Sequence, residues 1–585
     1  MAPCGALRSG ARRARRRASA FATPVVAWAR ITLPPSTGFG PCLLCPDMDS
    51  PAEWWRHGSV YQVYLRSFQD SDGDGVGDLE GARQRLDELV ALGVDTIWLS
   101  PVHPSPDRDF GYDVADYDDV AAIYGGRSAL RKLVDDAHSR GLRVLLDGVF
   151  NHTSDQHAWF RSSAVDPEGP HARWYHWHEG ERPPNNWAST FGGPAWTAHA
   201  ASGRWYLHSF ASEQPDLNWS EPAVEAAVLA SMKRWFEFGI DGFRLDVFNN
   251  YAKHPTLADN PWRTDLLGRL ARLAYPFLAQ DHIHDRDRPE LASILMRMRT
   301  LADSFEGSRV LVGETLDERF RYDRASGWCG ADRLHLAFHF RWLHTQWSAP
   351  RFHAAIRAQL DAFSGHATPT WVLGNHDFPR LATRWGAGSH TDARMKLVAL
   401  MQLGLPGMVV VYQGDELGTP EARLSRSRIQ DPPGKRFWPL YRGRDGCRTP
   451  MAWSSDPHGG FSIGQPWLPL HADWARRNVM HQRAAPDSIW SAYRAMLHLR
   501  RTHPALTGGT VTLPEEPHPA VLTYRRDTPS GSARIVANLS PVPVHWALPS
   551  SETVDGVPWV TGGLDVHREG LRLGAYSGGV LALTG

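Results

Sequence analysis

Between Val60 and Tyr412 the chain passes eight times through a short β-rich run, and helical patterns fill several of the gaps. The runs are Val60–Leu65, Thr96–Ser100, Arg143–Asp147, Ile240–Asp246, Val310–Glu314, Leu334–Phe340, Thr370–Leu373 and Met408–Tyr412. The helical patterns are clearest over Leu79–Leu92, Ser128–Arg140, Glu221–Phe238 and Pro289–Ser304. Strands that alternate with helices run parallel, and eight of them close an α/β barrel of the (β/α)8, or TIM, type. The expected barrel covers residues 48–152 and 216–502. Residues 153–215, rich in Trp, Pro, Gly and His, are too many for a loop and imply an inserted subdomain after the third strand. Beyond the helical stretch Ser488–Arg501, short alternating runs (Val521–Tyr524, Arg534–Ala537, Val580–Leu583) separated by Gly and Pro predict a C-terminal antiparallel β-sandwich domain over 503–585.

Four of the eight runs end in functional groups: Asp147, with Asn151-His152 just beyond; Asp246, two residues after Arg244; Glu314; and His376-Asp377. In Ile240–Asp246 the period of two puts Phe243 and Leu245 on one face and Arg244 and Asp246 on the other. One such acid reads equally well as a surface ion pair at a strand end. Four converge, because all strands of a barrel point the same way and bring their ends to one rim.

Bulk composition excludes little else. The 585 residues carry no net charge, so nothing suggests nucleic-acid or acidic-membrane binding. The five Cys are odd in number and scattered, and Cys42-x-x-Cys45 has no second pair to make a metal site. Residues 1–47 are atypical, with seven Arg, no Lys and one acid. They read as disordered or as a start-site artefact with Met48 as the true beginning, which favours a cytoplasmic protein. If residues 1–29 are a signal sequence instead, the protein is exported. No run of about 18 apolar residues exists to span a membrane.

The strand-end blocks Asp147-Gly-Val-Phe-Asn-His152, Gly242-Phe-Arg-Leu-Asp246, Val312-Gly-Glu314 and Asn375-His-Asp377 occur in the order seen in the α-amylase family, glycoside hydrolase family 13. From about Trp54 onward the chain resembles its α-glucosidase and oligo-1,6-glucosidase branch. Gln214-Pro-Asp-Leu-Asn-Trp219 and Gly443-Arg-Asp-Gly-Cys-Arg-Thr-Pro-Met451 strengthen the likeness. The resemblance implies that Asp246 is the nucleophile, Glu314 the general acid/base and Asp377 the stabiliser that grips the sugar. Retaining glycoside hydrolysis requires one ionised and one protonated carboxyl about 5–5.5 Å apart. Other positions match the family's glucose subsite. Asp109 and Tyr112 would anchor and stack on the sugar, His152 and His376 would be neutral hydrogen-bond partners, and Phe191, Phe210 and Gln214 would wall the pocket. Arg244 would hold the nucleophile ionised. Arg448, in preference to Arg444, would pair with Asp109 and close the far end. Val247 favours α-1,6 linkages slightly, and Asp415 stands where relatives carry Glu.

The loop Asp70-Ser-Asp-Gly-Asp-Gly-Val-Gly-Asp78 alternates carboxylates with glycines, which suits a hard cation. It is not an EF-hand, because Gly81 occupies the twelfth position where a bidentate Glu is needed. The resemblance implies a structural Ca2+ or Mg2+ held by Asp70, Asp72, Asp74, the Val76 carbonyl and Asp78, with no organic cofactor. The expected activity is that of an exo-acting, retaining α-glucosidase on α-1,4 or α-1,6 bonds of small oligosaccharides. The expected state is a monomer or homodimer with no nucleic-acid or membrane partner. A transglucosylase, an isomerase such as trehalose synthase, or an inactive binding member are the alternatives.

Overall fold

The computed structural model of the protein describes residues 53–568 and 570–584. The Arg-rich segment, both readings of it and the Cys42–Cys45 pair lie outside the described residues.

All eight runs form strands: β1 Ser59–Val63, β2 Thr96–Leu99, β3 Arg143–Gly148, β4 Gly242–Leu245, β5 Val310–Glu314, β6 Leu336–Phe338, β7 Thr370–Val372 and β8 Met408–Tyr412. They lie in the cyclic order β7-β8-β1-β2-β3-β4-β5-β6, every named pair parallel. β6 and β7 adjoin and complete the ring. The pleat sorts the side chains. Val60, Trp98, Leu145, Val312 and Val410 fill the barrel interior. Their neighbours Tyr61, Ile97, Val144, Phe243, Leu245 and Val411 face outward and meet the helices. The helix Gly126–Ser139 shows how that contact is built: it buries Leu130, Leu133, Val134 and Ala137, a single stripe at helical spacing. The pattern Leu79–Leu92 is two helices, Leu79–Gln84 and Leu86–Leu92, parted at Arg85. That side chain is drawn off to Gln69 (2.7 Å) and lies over the Trp453 ring.

Between β3 and β4 the chain forms a three-stranded antiparallel sheet (Trp177–His178, Trp196–Ala198, Trp205–Leu207) on its own core of Trp187, Ala195, Trp196 and Leu207. A buried ion pair, Lys253 to Asp216 at 2.9 Å, ties the end of this insertion to the segment after β4. The C-terminal chain forms a five-stranded and a three-stranded antiparallel sheet that share a core of Val521, Val536, Leu571, Leu573 and Leu581. The sandwich is hydrogen-bonded to the barrel's outer layer, where Tyr524 donates to the Met401 carbonyl (2.9 Å) and Arg526 to that of Gly404 (2.6 Å). The architecture is thus a TIM barrel with an insertion after the third strand and a C-terminal β-sandwich.

β5 is held tightly where it delivers Glu314. A Cβ on Gly313 would lie 2.5 Å from Leu334 and 2.6 Å from the Phe248 ring. Gly313→Ala is therefore expected to cost about 1–3 kcal/mol by overpacking. Thermal unfolding followed by circular dichroism should show a lower Tm, and an unchanged Tm would mean that Phe248 and Leu334 yield freely.

Candidate active site

The strand ends form the floor of a cavity of about 630 Å3. At its base the register of the sheet sets the first contact, since Asp147 on β3 lies directly opposite Arg244 on β4. Arg244 points into the barrel, over the Trp98 ring. Its Nη1 reaches Asp147 (2.5 Å) and Asp246 (2.7 Å), and its Nη2 contacts Glu314. One guanidinium thus holds three carboxylates from three adjacent strands. The oxygen of Asp246 that Nη1 engages is Oδ1. Burial pushes the Asp147 carboxyl up to about 7, opposed by Arg244 and reinforced by Asp246. Asp147 also accepts from the Tyr112 hydroxyl (2.9 Å).

Asp246 is carried into the cavity by the residue after it. Val247 has φ 35° and ψ 41°, a left-handed conformation that a β-branched side chain rarely takes. It ends β4 and leads into a short turn closed by Asn250 N–H on the Val247 carbonyl (2.9 Å).

A second cluster surrounds Asp377. Its Oδ1 accepts from Arg444 (3.1 Å) and Arg448 (2.8 Å). Burial alone would disfavour the ionised form. The surrounding His376, Arg444, Arg448 and Arg244 reverse this and hold the carboxyl far below its usual range. Burial pushes His376 itself down to about 3, so its ring is neutral at pH 7 and the arginines supply the attraction. Arg444 also reaches Asp109 (2.6 Å) and, through Nε, Asp431 (2.8 Å).

The partner of Asp109 is therefore Arg444, not Arg448 as the sequence suggested. Arg448 is fully buried, with Nε donating to the His376 carbonyl (2.9 Å), so it backs Asp377 and does not reach Asp109. Most other expected residues do line the cavity: Asp109, Tyr112, His152, Phe191, Phe210, Gln214, Val247 and the three acids Asp246, Glu314 and Asp377. Phe210 packs between His152 (5.2 Å) and Phe191 (5.7 Å). Gln214 donates to the Tyr112 carbonyl (3.2 Å). Arg244, His376 and Arg448 lie behind this lining. His376 is stacked against Tyr112 and has Nε2 2.7 Å from its hydroxyl and Nδ1 2.7 Å from the Gln62 amide. It therefore positions Tyr112 where the sequence suggested direct contact with a sugar. Asp415 accepts the Tyr412 N–H (3.2 Å) outside the cavity lining.

Two features were missed. Asp431 is buried and N-caps the helix Pro432–Phe437 while gripping Arg444; the run Asp431-Pro-Pro-Gly signals the cap. The apolar residues Leu278, Phe320, Phe340, Phe378, Phe437 and Leu440 also line the cavity, and they come from five different connections with no shared motif.

Away from the cavity, Asp70, Asp72 and Asp78 bring carboxylate oxygens within 4.8 Å of one another. Asp70 accepts N–H bonds from Gly73 (2.8 Å) and Gly75 (2.9 Å), and the Ser462 hydroxyl at 2.5 Å. Asp74 does not join this group. Its carboxylate accepts the Val76 N–H (2.7 Å), so three of the four expected acids converge.

Comparisons agree with this geometry. The family described as "Alpha amylase, catalytic domain" matches residues 62–509. A probable alpha-glucosidase of Rhizobium meliloti is 41% identical over 480 residues, 81% of this chain and 86% of that protein. An oligo-1,6-glucosidase of Parageobacillus thermoglucosidasius is 32% identical, covering 83% and 90%. The solved alpha-glucosyl transfer enzyme XgtA superposes with a TM-score of 0.86 at 37% identity, over 91% of this chain and 99% of that one.

The Arg444 fork touches Asp109, Asp377 and Asp431, a geometry that a point-charge ammonium cannot reproduce. Arg444→Lys is expected to lower kcat/KM on an α-glucoside by at least about tenfold, chiefly through KM. Steady-state kinetics with an unchanged KM would contradict the role of the fork.

Proposed function

Since the chain belongs to the α-amylase family, we propose that this glycoside hydrolase is an exo-acting, retaining α-glucosidase that releases glucose from the non-reducing ends of small oligosaccharides. The observation that carries the reading is the single Arg244 guanidinium shared by Asp246 and Glu314. Two carboxyls on one planar cation are close together, as a nucleophile and an acid acting on the same bond must be. In this reading Asp246 attacks the anomeric carbon through Oδ2 while Glu314 protonates the departing oxygen. Water then displaces the glucosyl ester with Glu314 as base. Asp377, held ionised by its arginines, binds sugar hydroxyls, and its bonds strengthen as the ring distorts.

The lock of Asp109 and Arg444 supports exo action. It places a charged, buried barrier at one end of the cavity, with Asp109 3% exposed. Burial raises the Asp109 carboxyl while Arg444 and Arg448 lower it, so the pair is held by fit as well as by charge. Val247 lines the cavity beside the nucleophile and carries no hydroxyl, which supports α-1,6 as well as α-1,4 bonds. Among the described residues no helix is long and apolar enough to cross a membrane.

We also propose that Asp70, Asp72 and Asp78 hold a Ca2+ or Mg2+ ion. Three carboxylates bring oxygens within 4.8 Å of one another, and hard oxygen donors suit these ions. The ion would be structural, because Asp70 joins its loop to Ser462, far along the chain.

Two experiments test these readings. Asp246→Asn should abolish turnover of isomaltose and maltose while leaving the circular dichroism spectrum intact, and proton NMR of the wild-type reaction should show α-glucose first. Substantial activity in the variant, or β-glucose as first product, would overturn the mechanism. For the ion, saturating Ca2+ or Mg2+ at a hundred times Kd should stabilise the chelated protein by about 2.7 kcal/mol. Melting curves that coincide with and without the ions would remove the metal site.

A further inference from the structure

A net charge of zero hides an uneven surface. After β8 the chain makes an excursion from Ala422 to Gly446, closed at its neck where the Ala422 N–H donates to the Gly446 carbonyl (3.2 Å). It carries seven Lys and Arg against two acids, whereas the rest of residues 48–585 is acidic on balance. Both acids face inward and are fully buried. Asp445 accepts the N–H groups of Gln430 (2.6 Å) and Asp431 (3.0 Å), while Asp431 accepts the Gly434 N–H (3.2 Å) and grips Arg444. The other six cations, Arg423, Arg426, Arg428, Lys435, Arg436 and Arg442, are exposed, and among the described residues none has a carboxylate partner. Elsewhere the exposed Arg140 and Arg234 are paired, with Asp87 (2.7 Å) and Asp118 (2.5 Å).

We infer that this excursion is a docking surface for an anionic phospholipid bilayer. Charge alone would fit any polyanion, but the stretch Lys435–Arg442 adds carbon. Leu440, at the cavity's mouth, is 97% exposed, more than any other large apolar side chain among the described residues, and Tyr441 beside it is 43% exposed. The Arg442 guanidinium lies 5.5 Å from the Trp438 ring. Leucine and aromatic rings between cations settle at a membrane interface, the carbon among the acyl chains and headgroups and the cations on lipid phosphates.

Two features separate this partner from others. A nucleic acid supplies phosphates but leaves Leu440 in water. A folded acidic protein presents carboxylates at fixed places, whereas these six side chains have no acid to hold them in one pattern; a fluid leaflet brings its headgroups to them. The acidic balance of the remaining chain is repelled by the same leaflet, which selects this one face for contact. The inference does not depend on the glucosidase reading, since Arg423, Arg426 and Arg428 take no part in the cavity lining.

The test is co-sedimentation of the full-length protein with vesicles of phosphatidylcholine alone or mixed with phosphatidylglycerol, at low and high salt. At low salt the mixed vesicles should bind at least about tenfold more tightly than the neutral ones, and high salt should erase the difference. Arg426→Glu combined with Arg428→Glu should weaken binding to mixed vesicles by about tenfold or more, with the circular dichroism spectrum of the wild type. Leu440→Asn should weaken it by about threefold or more and leave retention on heparin unchanged, because a rigid polyanion has no interior for the side chain to enter. Equal affinity for both kinds of vesicle, or binding to mixed vesicles that survives the charge reversals, would sink the proposal. Leu440→Asn without effect on vesicles would reduce the surface to a general polyanion patch and overturn the assignment to lipid.

Discussion

A guanidinium sealed inside the barrel governs what stands above it. Arg244 is 1% exposed, and a cation removed from water to that degree is tolerable only where acids surround it. The parallel sheet supplies them from three adjacent strands, Asp147, Asp246 and Glu314. One positive charge cannot neutralise three carboxylates in a dry interior. The strain of that imbalance falls partly on Asp147, whose carboxyl is pushed up to about 7 by burial and by the neighbouring Asp246, against the pull of Arg244. Near neutral pH Asp147 therefore shares in taking up a proton, and the Tyr112 hydroxyl stands beside it in either state.

The second cluster is richer in cations than the first. Around Asp377 two arginines meet three carboxylates, but Asp109 and Asp431 are shared by Arg444 at the edge, so Asp377 itself lies in a strongly positive setting. Arg244 thus conditions Asp147, Asp246 and Glu314, and Arg444 conditions Asp109, Asp377 and Asp431. Joining Asp109, Asp377 and Asp431 through one planar fork also couples three loops: that after β2, that after β7 and that after β8. A shift in any of them would be felt at the other two.

Strand ends were the legible part of this chain. Asp246 and Glu314 could be placed because a period of two and a common strand direction leave few options, and all eight strands lie where the β-rich runs put them. The choice between Arg444 and Arg448 was not legible. Both sit in one irregular stretch, and which side chain faces the cavity depends on how Asp431 turns the preceding segment, a contact with no short-range signal. The mouth was illegible for a related reason: Phe320, Phe378 and Phe437 stand on different connections, and a lone Phe in a loop reads as packing. The Asp70–Asp78 loop sits between these cases. Its alternation marked it as acidic and tightly turned, but only the fold shows that Asp70, Asp72 and Asp78 converge while Asp74 accepts the Val76 N–H.

Val247 shows how narrowly the site is balanced. A left-handed backbone at a β-branched residue costs about 1–3 kcal/mol, and glycine would remove that cost. The conformation persists because its surroundings leave no alternative: the turn closes on the Val247 carbonyl, and Phe248 is wedged against Gly313. What the valine adds over glycine is a side chain, 6% exposed, in the cavity wall next to Asp246. Discrimination by a single methyl in such a wall is worth about 1–3 kcal/mol, the same size as the strain. Strain at this position and discrimination by the side chain it carries are therefore of one magnitude.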